Sequence, residues 1–346
     1  MKSSRSSSPF LPLAGLALAG FAYAKLRRDP RFFAGKVVAV TGGSRGLGLC
    51  VARRLQKEGA SLALLARDAD ELEEARRELA GLGGKEILTV PCDVSHPEEI
   101  KEAVATIKAR FGRLDVLINV AGTIQVGPLA NLLPEDFEET MNLHFWGNFH
   151  LIWATLPLLR QRRGARIVNV ASIGGKIAIP HLAPYSASKF ALVGLSNALG
   201  IELAAEGIRV TTVAPGLLRT GSQVNARFKG QHAKEFDWFA TSDNVPGFSV
   251  SADFAAREIV EACRRGQPSL TFPVQMRAAE IAQAVFPNLT AHALALVNRF
   301  LLPKASQLPD GMEAWDGERS RSKKVTPGWK TKLIDQAAGD NNEGRQ

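Results

Sequence analysis

Cysteine, tyrosine and long apolar runs are what this sequence has least of. The three cysteines in 346 residues, Cys50, Cys92 and Cys263, lie far apart with no C-x-x-C and no Cys/His cluster. That spacing excludes a disulfide framework and a structural zinc site, so no metal is expected and a reducing compartment suits the chain. An isolated cysteine is ordinarily a small buried hydrophobe. No basic stripe interleaved with aromatics occurs, which sets nucleic acid aside as a partner. A formal net charge of +9 still suits an anionic partner, either a phosphorylated cofactor or an anionic membrane surface. Much of that excess sits in Lys25-Leu26-Arg27-Arg28 and between Arg319 and Lys324, where a solvated tail accounts for it.

The one strongly apolar segment, Pro9 to Ala24, follows a basic, serine-rich stretch and precedes Lys25, Arg27 and Arg28. It is shorter than the roughly 20 residues that comfortably span a bilayer. Three readings stay open: an uncleaved membrane anchor, a signal peptide ending near Ala22-Tyr23-Ala24, and a helix packed on the domain. The anchor is favoured, with the rest of the chain membrane-associated on a cytoplasmic face, although positive charge on both flanks leaves the orientation undecided.

From Lys36 onward, short apolar runs alternate with amphipathic stretches. Val37 to Val40, Ser61 to Leu65, Ile87 to Val90, Val116 to Asn119, Arg166 to Val170 and Ile208 to Val213 each read as a buried strand. Near-continuous apolar strands separated by helices imply a parallel sheet covered on both faces. The expected fold is therefore α/β, a Rossmann-type doubly wound parallel sheet in three layers, over residues 35–275. Residues 1–34 read as the anchor or signal-like segment. Ser222 to Phe248 has no clear period and sits where a substrate-covering loop is expected. Residues 276–303 read as an apolar helical extension broken at Pro287, either packed on the domain or touching a membrane. Residues 304–346 are polar and charged and read as disordered.

The first strand runs into Thr41-Gly42-Gly43-Ser44-Arg45-Gly46-Leu47-Gly48, and a helical pattern follows. A glycine-rich turn between strand and helix lets backbone approach a pyrophosphate, whose charge the helix N-terminus favours. Gly42, Ser44, Arg45, Gly46, Leu47 and Gly48 are thus candidate dinucleotide contacts. At the end of the second strand, an acidic residue would bond the adenosine ribose and repel a phosphate. Arg67 stands there instead, followed by Asp68, and Arg45 adds a second cation. Arginines match a 2′-phosphate, so NADP(H) is the expected cofactor, with NAD(H) left open should Arg67 merely pair with a neighbouring helix. Asp93 and Val94 end the third strand, and Asn119, Ala121 and Gly122 end the fourth, where adenine and ribose would pass.

Strand Arg166 to Val170 delivers Ser172, and Tyr185-Ser186-Ala187-Ser188-Lys189 follows after a loop. Tyr185 and Lys189, four apart, share one helix face. Hydride reduction of a carbonyl needs a proton donor, and free tyrosine holds its proton too tightly near neutrality unless a nearby ammonium favours phenolate. Ser172 can hydrogen-bond the oxygen as charge appears on it. Only two tyrosines exist, and the other, Tyr23, lies in the N-terminal apolar segment.

Taken together, Thr41 to Gly48, Asn119 to Gly122, Ser172, Tyr185 to Lys189 and Pro215-Gly216 resemble the short-chain dehydrogenase/reductase superfamily over roughly Gly35 to Ser269. The resemblance implies Tyr185 as general acid/base, Ser172 orienting substrate, and Lys189 assisting while also binding the nicotinamide ribose. It implies Asn142 as the asparagine of a proton relay, and Pro215, Gly216 and Thr220 at the nicotinamide carboxamide. Val120 departs from the family pattern, which has a second asparagine there. The implied activity is interconversion of a ketone or aldehyde with an alcohol, on a lipophilic small molecule, by a homodimer or homotetramer. Two alternatives remain: a membrane-tethered NADP-binding redox sensor without turnover, and an epimerase or dehydratase relative.

Overall fold

A computed structural model of the chain describes residues 29, 31–82, 85–243, 249–321 and 332–343. The apolar segment from Pro9 to Ala24 lies outside the described residues, as does the stretch 322–331. Seven strands form the central sheet: β1 (Val37–Thr41), β2 (Ser61–Ala66), β3 (Ile87–Pro91), β4 (Val116–Asn119), β5 (Arg166–Val170), β6 (Arg209–Pro215) and β7 (Ser269–Phe272). The helices are α1 (Gly46–Lys57), α2 (Ala69–Ala80), α3 (Pro97–Phe111), α4 (Pro134–Met141), α5 (Asn148–Leu159), α6 (Ala183–Glu202), α7 (His232–Asp243), α8 (Ala252–Arg265), α9 (Val274–Val285), α10 (Pro287–Phe300) and α11 (Lys332–Asp340). All neighbours in the sheet run parallel, in the order β3-β2-β1-β4-β5-β6-β7. This is the doubly wound order, which reverses between β1 and β4 and opens a crevice at their carboxyl ends.

Alternation along β1 shows why the sheet must be covered twice. Val38 and Val40 pack with Leu49 and Leu55 of α1 and Ile259 of α8, while Val37 and Ala39 pack with Ile100 and Ile107 of α3 and Leu151 of α5. Side chains on a strand alternate faces, so five consecutive buried residues need a helical layer on each side.

All six strands read from the sequence are present, two with the same ends and four with ends shifted by one or two residues. The seventh, β7, escaped notice because its Ser-Leu-Thr-Phe is short and half polar; it pairs with Thr212 to Pro215 at the sheet edge. Phe33 is buried in the core, so the globular unit starts before residue 35 and the expected boundary at 34 falls too late. The stretch after Ser222 is structured in its described part. Arg227–Phe228 lies between Gln125–Val126 and Trp315–Asp316 in a small sheet, and α7 follows. Phe228, Phe236 and Phe239 make a separate apolar cluster there with Val126 and Leu182.

The disorder expected for 304–346 is contradicted in the residues described. Trp315 stacks on His232 with ring centroids 3.9 Å apart, Asn131 donates to the Ser306 carbonyl at 3.1 Å, and α11 docks on the domain. Aromatic stacking and long-range hydrogen bonds hold this polar segment, and composition carries no trace of such partners. Pro287 does break the extension, into α9 and α10, by standing at the first position of the second helix. Neither helix buries a residue fully, so the expected packing on the domain is slight. Among the described residues no helix is long and apolar enough to cross a membrane.

Candidate active site

Strand β5 ends at Val170, and the chain turns at Ser172 into one turn of 3-10 helix. The Ser172 hydroxyl accepts the Gly174 N–H at 3.0 Å, leaving its own proton for another partner. A methyl group at Gly174 would stand 3.1 Å from the Tyr185 ring and 3.5 Å from Ser172 Oγ. Serine and tyrosine therefore flank one small space, as their spacing implied. Tyr185 is half-buried in the first turn of α6, and Lys189 Nζ lies 5.7 Å from its ring centroid. The ammonium donates to the Val170 carbonyl at 3.1 Å and is otherwise enclosed. Burial pushes Lys189 down from 10.5 to about 7, with no carboxylate among the described residues to hold its proton.

The glycine loop is clamped to the end of β4. Gly42 and Gly46 have positive φ of 63° and 55°, which glycine alone adopts freely. A Cβ at Gly42 would lie 3.2 Å from the Ala121 backbone, and one at Gly48 only 1.9 Å from the Gly42 carbonyl. Thr41 Oγ1 accepts the N–H groups of Val120 and Ala121 at 2.9 and 3.0 Å. This bond explains why Val120 can replace the expected asparagine, since the backbone path is fixed from Thr41. Gly122 sits against the catalytic side, where a Cβ would meet Lys189 Nζ at 3.6 Å.

The remaining candidates divide. Leu47 and Val94 are buried in the apolar core, Pro215 ends β6, and Gly216 follows it with its N–H donating to the Phe272 carbonyl at 2.8 Å. Thr220 is buried and donates to Ser222 Oγ at 2.9 Å. Burial opposes ionisation of Asp93, yet the Ser95 hydroxyl and N–H at 2.6 and 2.9 Å, with Arg67 nearby, hold its carboxyl below the usual value. Arg67 is exposed and makes no hydrogen bond or ion pair among the described residues, so the reading that ties it to a neighbouring helix fails. Asp68 caps α2 by accepting the Glu71 N–H at 2.9 Å through one carboxylate oxygen. Ser44 and Arg45 both bond Glu71, at 2.8 and 3.0 Å. The Asn119 side chain donates to Asn169 Oδ1 at 2.8 Å; its own oxygen is buried with no hydrogen-bond partner among the described residues.

Residues 36–230 match the family described as short chain dehydrogenase. The chain belongs to that family. A putative ketoacyl reductase of the granaticin polyketide synthase from Streptomyces violaceoruber is 40% identical over 217 residues, covering 61% of this chain and 79% of its own. The L-sorbose reductase of Gluconobacter frateurii, solved with NADPH and L-sorbose, has a TM-score of 0.63 at 29% identity, over 69% of this chain and 95% of its own. An NAD+-bound xylitol dehydrogenase gives 0.62 at 26% identity, over 69% and 98%.

In this short-chain dehydrogenase one expected residue does not arrive. Asn142 is exposed, and its side chain makes no hydrogen bond among the described residues. It opens a π-helical turn, Asn142–Gly147, and two residues along a helix is a rotation of about 200°, so His144 faces inward where Asn142 faces out. His144 is fully buried, its edge toward the Tyr185 ring, with centroids 5.6 Å apart. Its Nε2 accepts the Thr123 N–H at 3.1 Å, so the proton sits on Nδ1, which donates to Ser188 Oγ at 2.8 Å. Ser188 in turn donates to the Tyr185 carbonyl at 2.9 Å. Burial first, then Lys189, keeps His144 well below its ordinary value and therefore neutral. The signal for it was helix phase, which a motif read by residue type overlooks. Two buried acids were missed altogether: Glu235, which bonds His181 Nδ1 at 2.9 Å just before Tyr185, and Glu343, beside the glycine loop.

Because Lys189 loses its charge as pH rises through about 7, kcat/KM for the reduced cofactor should fall above that pH. A profile flat from pH 6 to 9 would contradict this. Replacing His144 by Phe strands the part-buried Thr123 N–H and removes the donor to Ser188 Oγ, which keeps its own bond to the Tyr185 carbonyl; an unsatisfied buried polar group costs roughly 1–3 kcal/mol. A marked drop in Tm is expected on thermal unfolding, and an unchanged Tm would show the ring to be dispensable.

Proposed function

We propose that this short-chain dehydrogenase interconverts a ketone or aldehyde with an alcohol using NADP(H), on a lipophilic substrate, with Tyr185 as general acid/base. The observation that carries the reading is the shared space between Ser172 Oγ and the Tyr185 ring at Gly174, beside a lysine whose ammonium reaches the strand end. Bound nicotinamide supplies the hydride. Tyr185 gives its hydroxyl proton to the carbonyl oxygen, and Ser172 donates to that same oxygen as it becomes alkoxide. Lys189, with one hydrogen spent on Val170, has two left for ribose hydroxyls and for favouring the phenolate that Tyr185 becomes.

Arg67 supports the phosphorylated cofactor, being an unpaired guanidinium among the described residues at the end of β2, next to an Asp68 already used as a helix cap. The NADPH in the sorbose reductase agrees, and the NAD+ in the xylitol dehydrogenase does not. An apolar hollow of about 420 Å³ between α7 and α10, lined by Ile179, Pro180, Trp238, Leu294, Val297 and Leu301 among others but not by Ser172, Tyr185 or Lys189, is the apolar surface on which the lipophilic substrate class rests. Self-association belongs to the same proposal, because Trp146, Trp153, Phe190 and Ile201 expose apolar surface on or beside the two long helices α5 and α6. So does attachment to a membrane through residues 9–24, for which the exposed Phe286, Leu289, Phe300 and Leu301 of the α9–α10 hairpin region offer a second apolar surface.

The test is oxidation of NADPH and of NADH across a panel of lipophilic and small polar carbonyls. NADPH with apolar ketones should turn over fastest, and a preference for NADH would overturn the Arg67 argument. The Tyr185→Phe variant should lose roughly 10²–10⁴ in kcat while still binding NADPH. Unchanged turnover would sink the mechanism, whereas NADPH binding with no turnover of any carbonyl by the unaltered chain would favour a cofactor sensor. Arg67→Ala should raise KM for NADPH about tenfold and leave that for NADH alone.

A further inference from the structure

The end of α11 lies against the glycine loop. The N–H of Gly46, in the first turn of α1, donates to the Asn341 carbonyl at 2.8 Å. The Asn341 side chain bridges the crevice: its Nδ2 donates to the Thr220 carbonyl at 3.3 Å, and its Oδ1 accepts from Cys50 Sγ at 3.0 Å and Arg53 at 3.1 Å. Arg53 also donates to the Asp340 carbonyl at 2.8 Å. Ala338 lies so close to Gly221 that a Cβ there would stand 2.3 Å from the Ala338 Cα. Residues 338–343 therefore span from the loop after β1 to the loop after β6.

Glu343 is the anionic end of this strap. Its carboxylate accepts from Asn225 Nδ2 at 2.6 Å and lies 3.7 Å from Arg45 Nε. A methyl group on Gly46 would be 2.2 Å from Glu343 Oε1, so the carboxylate fills the very space that the bare glycine leaves open. Burial raises the Glu343 carboxyl to about 7, against the opposing pull of Arg45 and Asn225. The bare glycine, the amide at the start of α1 and a loop arginine are the features that make such a turn attractive to a pyrophosphate. A carboxylate is the nearest side-chain counterpart of that anion, and two anions cannot share the cradle.

We propose that residues 341–343, carried by α11, are an intrachain occupant of the phosphate cradle, so that the cofactor binds only as this segment leaves. The proposal rests on the reading of the glycine loop as the cofactor site. Docking of the segment reduces the population competent to bind, and the apparent Kd rises in proportion. The anionic half of the cofactor competes directly with Glu343, and the nicotinamide half must pass the contact between Ala338 and Gly221. Asn341, held by Cys50, Arg53 and Thr220, is the anchor that both halves must release.

Equilibrium binding of NADPH, followed by its fluorescence, should be compared in the unaltered chain, a chain ending at residue 331, and the full-length variants Glu343→Ala and Ala338→Arg. The shortened chain and Ala338→Arg should bind NADPH about tenfold more tightly or better, with Glu343→Ala intermediate. Hydrogen exchange supplies the second readout: adding NADPH to the unaltered chain should deprotect residues 332–343. Unchanged affinity in all three variants overturns the proposal alone. Weaker binding in the variants, with protection of 332–343 by NADPH, overturns it in favour of a strap that closes over bound cofactor. Failure of every chain to bind NADPH or NADH would overturn the cofactor reading with it.

Discussion

The backbone contact between Gly42 and Ala121 is the constraint on which the crevice depends. It joins the end of β1 to the end of β4, at the place where the strand order reverses, and the Thr41 hydroxyl holds it by binding two consecutive amides of the β4 turn. No side chain larger than hydrogen fits at Gly42 without pushing those strand ends apart. From that junction the nucleotide loop runs one way into α1, and Gly122 runs the other way to Lys189 and His144. The cofactor side and the catalytic side of the site are therefore positioned by one short piece of buried backbone.

Parts of the molecule built from short-range pattern were legible in the sequence. The strands β1 to β6 announced themselves as apolar runs because burial on both faces leaves no room for alternation, and Tyr185 and Lys189 came together because α6 is regular across them. What failed to show was set by helix phase or by distant contact. Asn142 matched by type, yet the π-helical turn that it opens gives the inward position to His144. The bond from the Asn119 amide to Asn169, fifty residues on, likewise leaves no mark on the local pattern. The polar segment beyond 304 lacks any apolar period, because stacking, strand pairing and hydrogen bonds rather than a hydrophobic stripe hold it down.

Hydrogen-bond chains, more than packing, define the catalytic wall. Thr123, His144, Ser188 and the Tyr185 carbonyl form one directed series in which each donor has a single acceptor, and this fixes the imidazole tautomer. A second series, Asn119 to Asn169 to Ser196, with Thr212 donating to the same serine, runs beneath it through the sheet. Such networks are costly to satisfy in part, because each orphaned group keeps its desolvation penalty.

The two ends of the crevice are in opposite electrostatic states. At the phosphate end the chain neutralises its own cation, since Arg45 is paired with Glu71 and lies within 4 Å of Glu343. At the catalytic end no carboxylate among the described residues neutralises Lys189, whose charge burial opposes. An anionic dinucleotide changes both ends in the same direction. It would supply Arg45 with a partner in place of a buried carboxylate, and it would bring ribose oxygens toward an ammonium whose one hydrogen bond among the described residues is to the Val170 carbonyl. On the proposed reading, the protonation of Lys189 and the binding of cofactor are coupled, because ribose oxygens would add acceptors for an ammonium that burial disfavours.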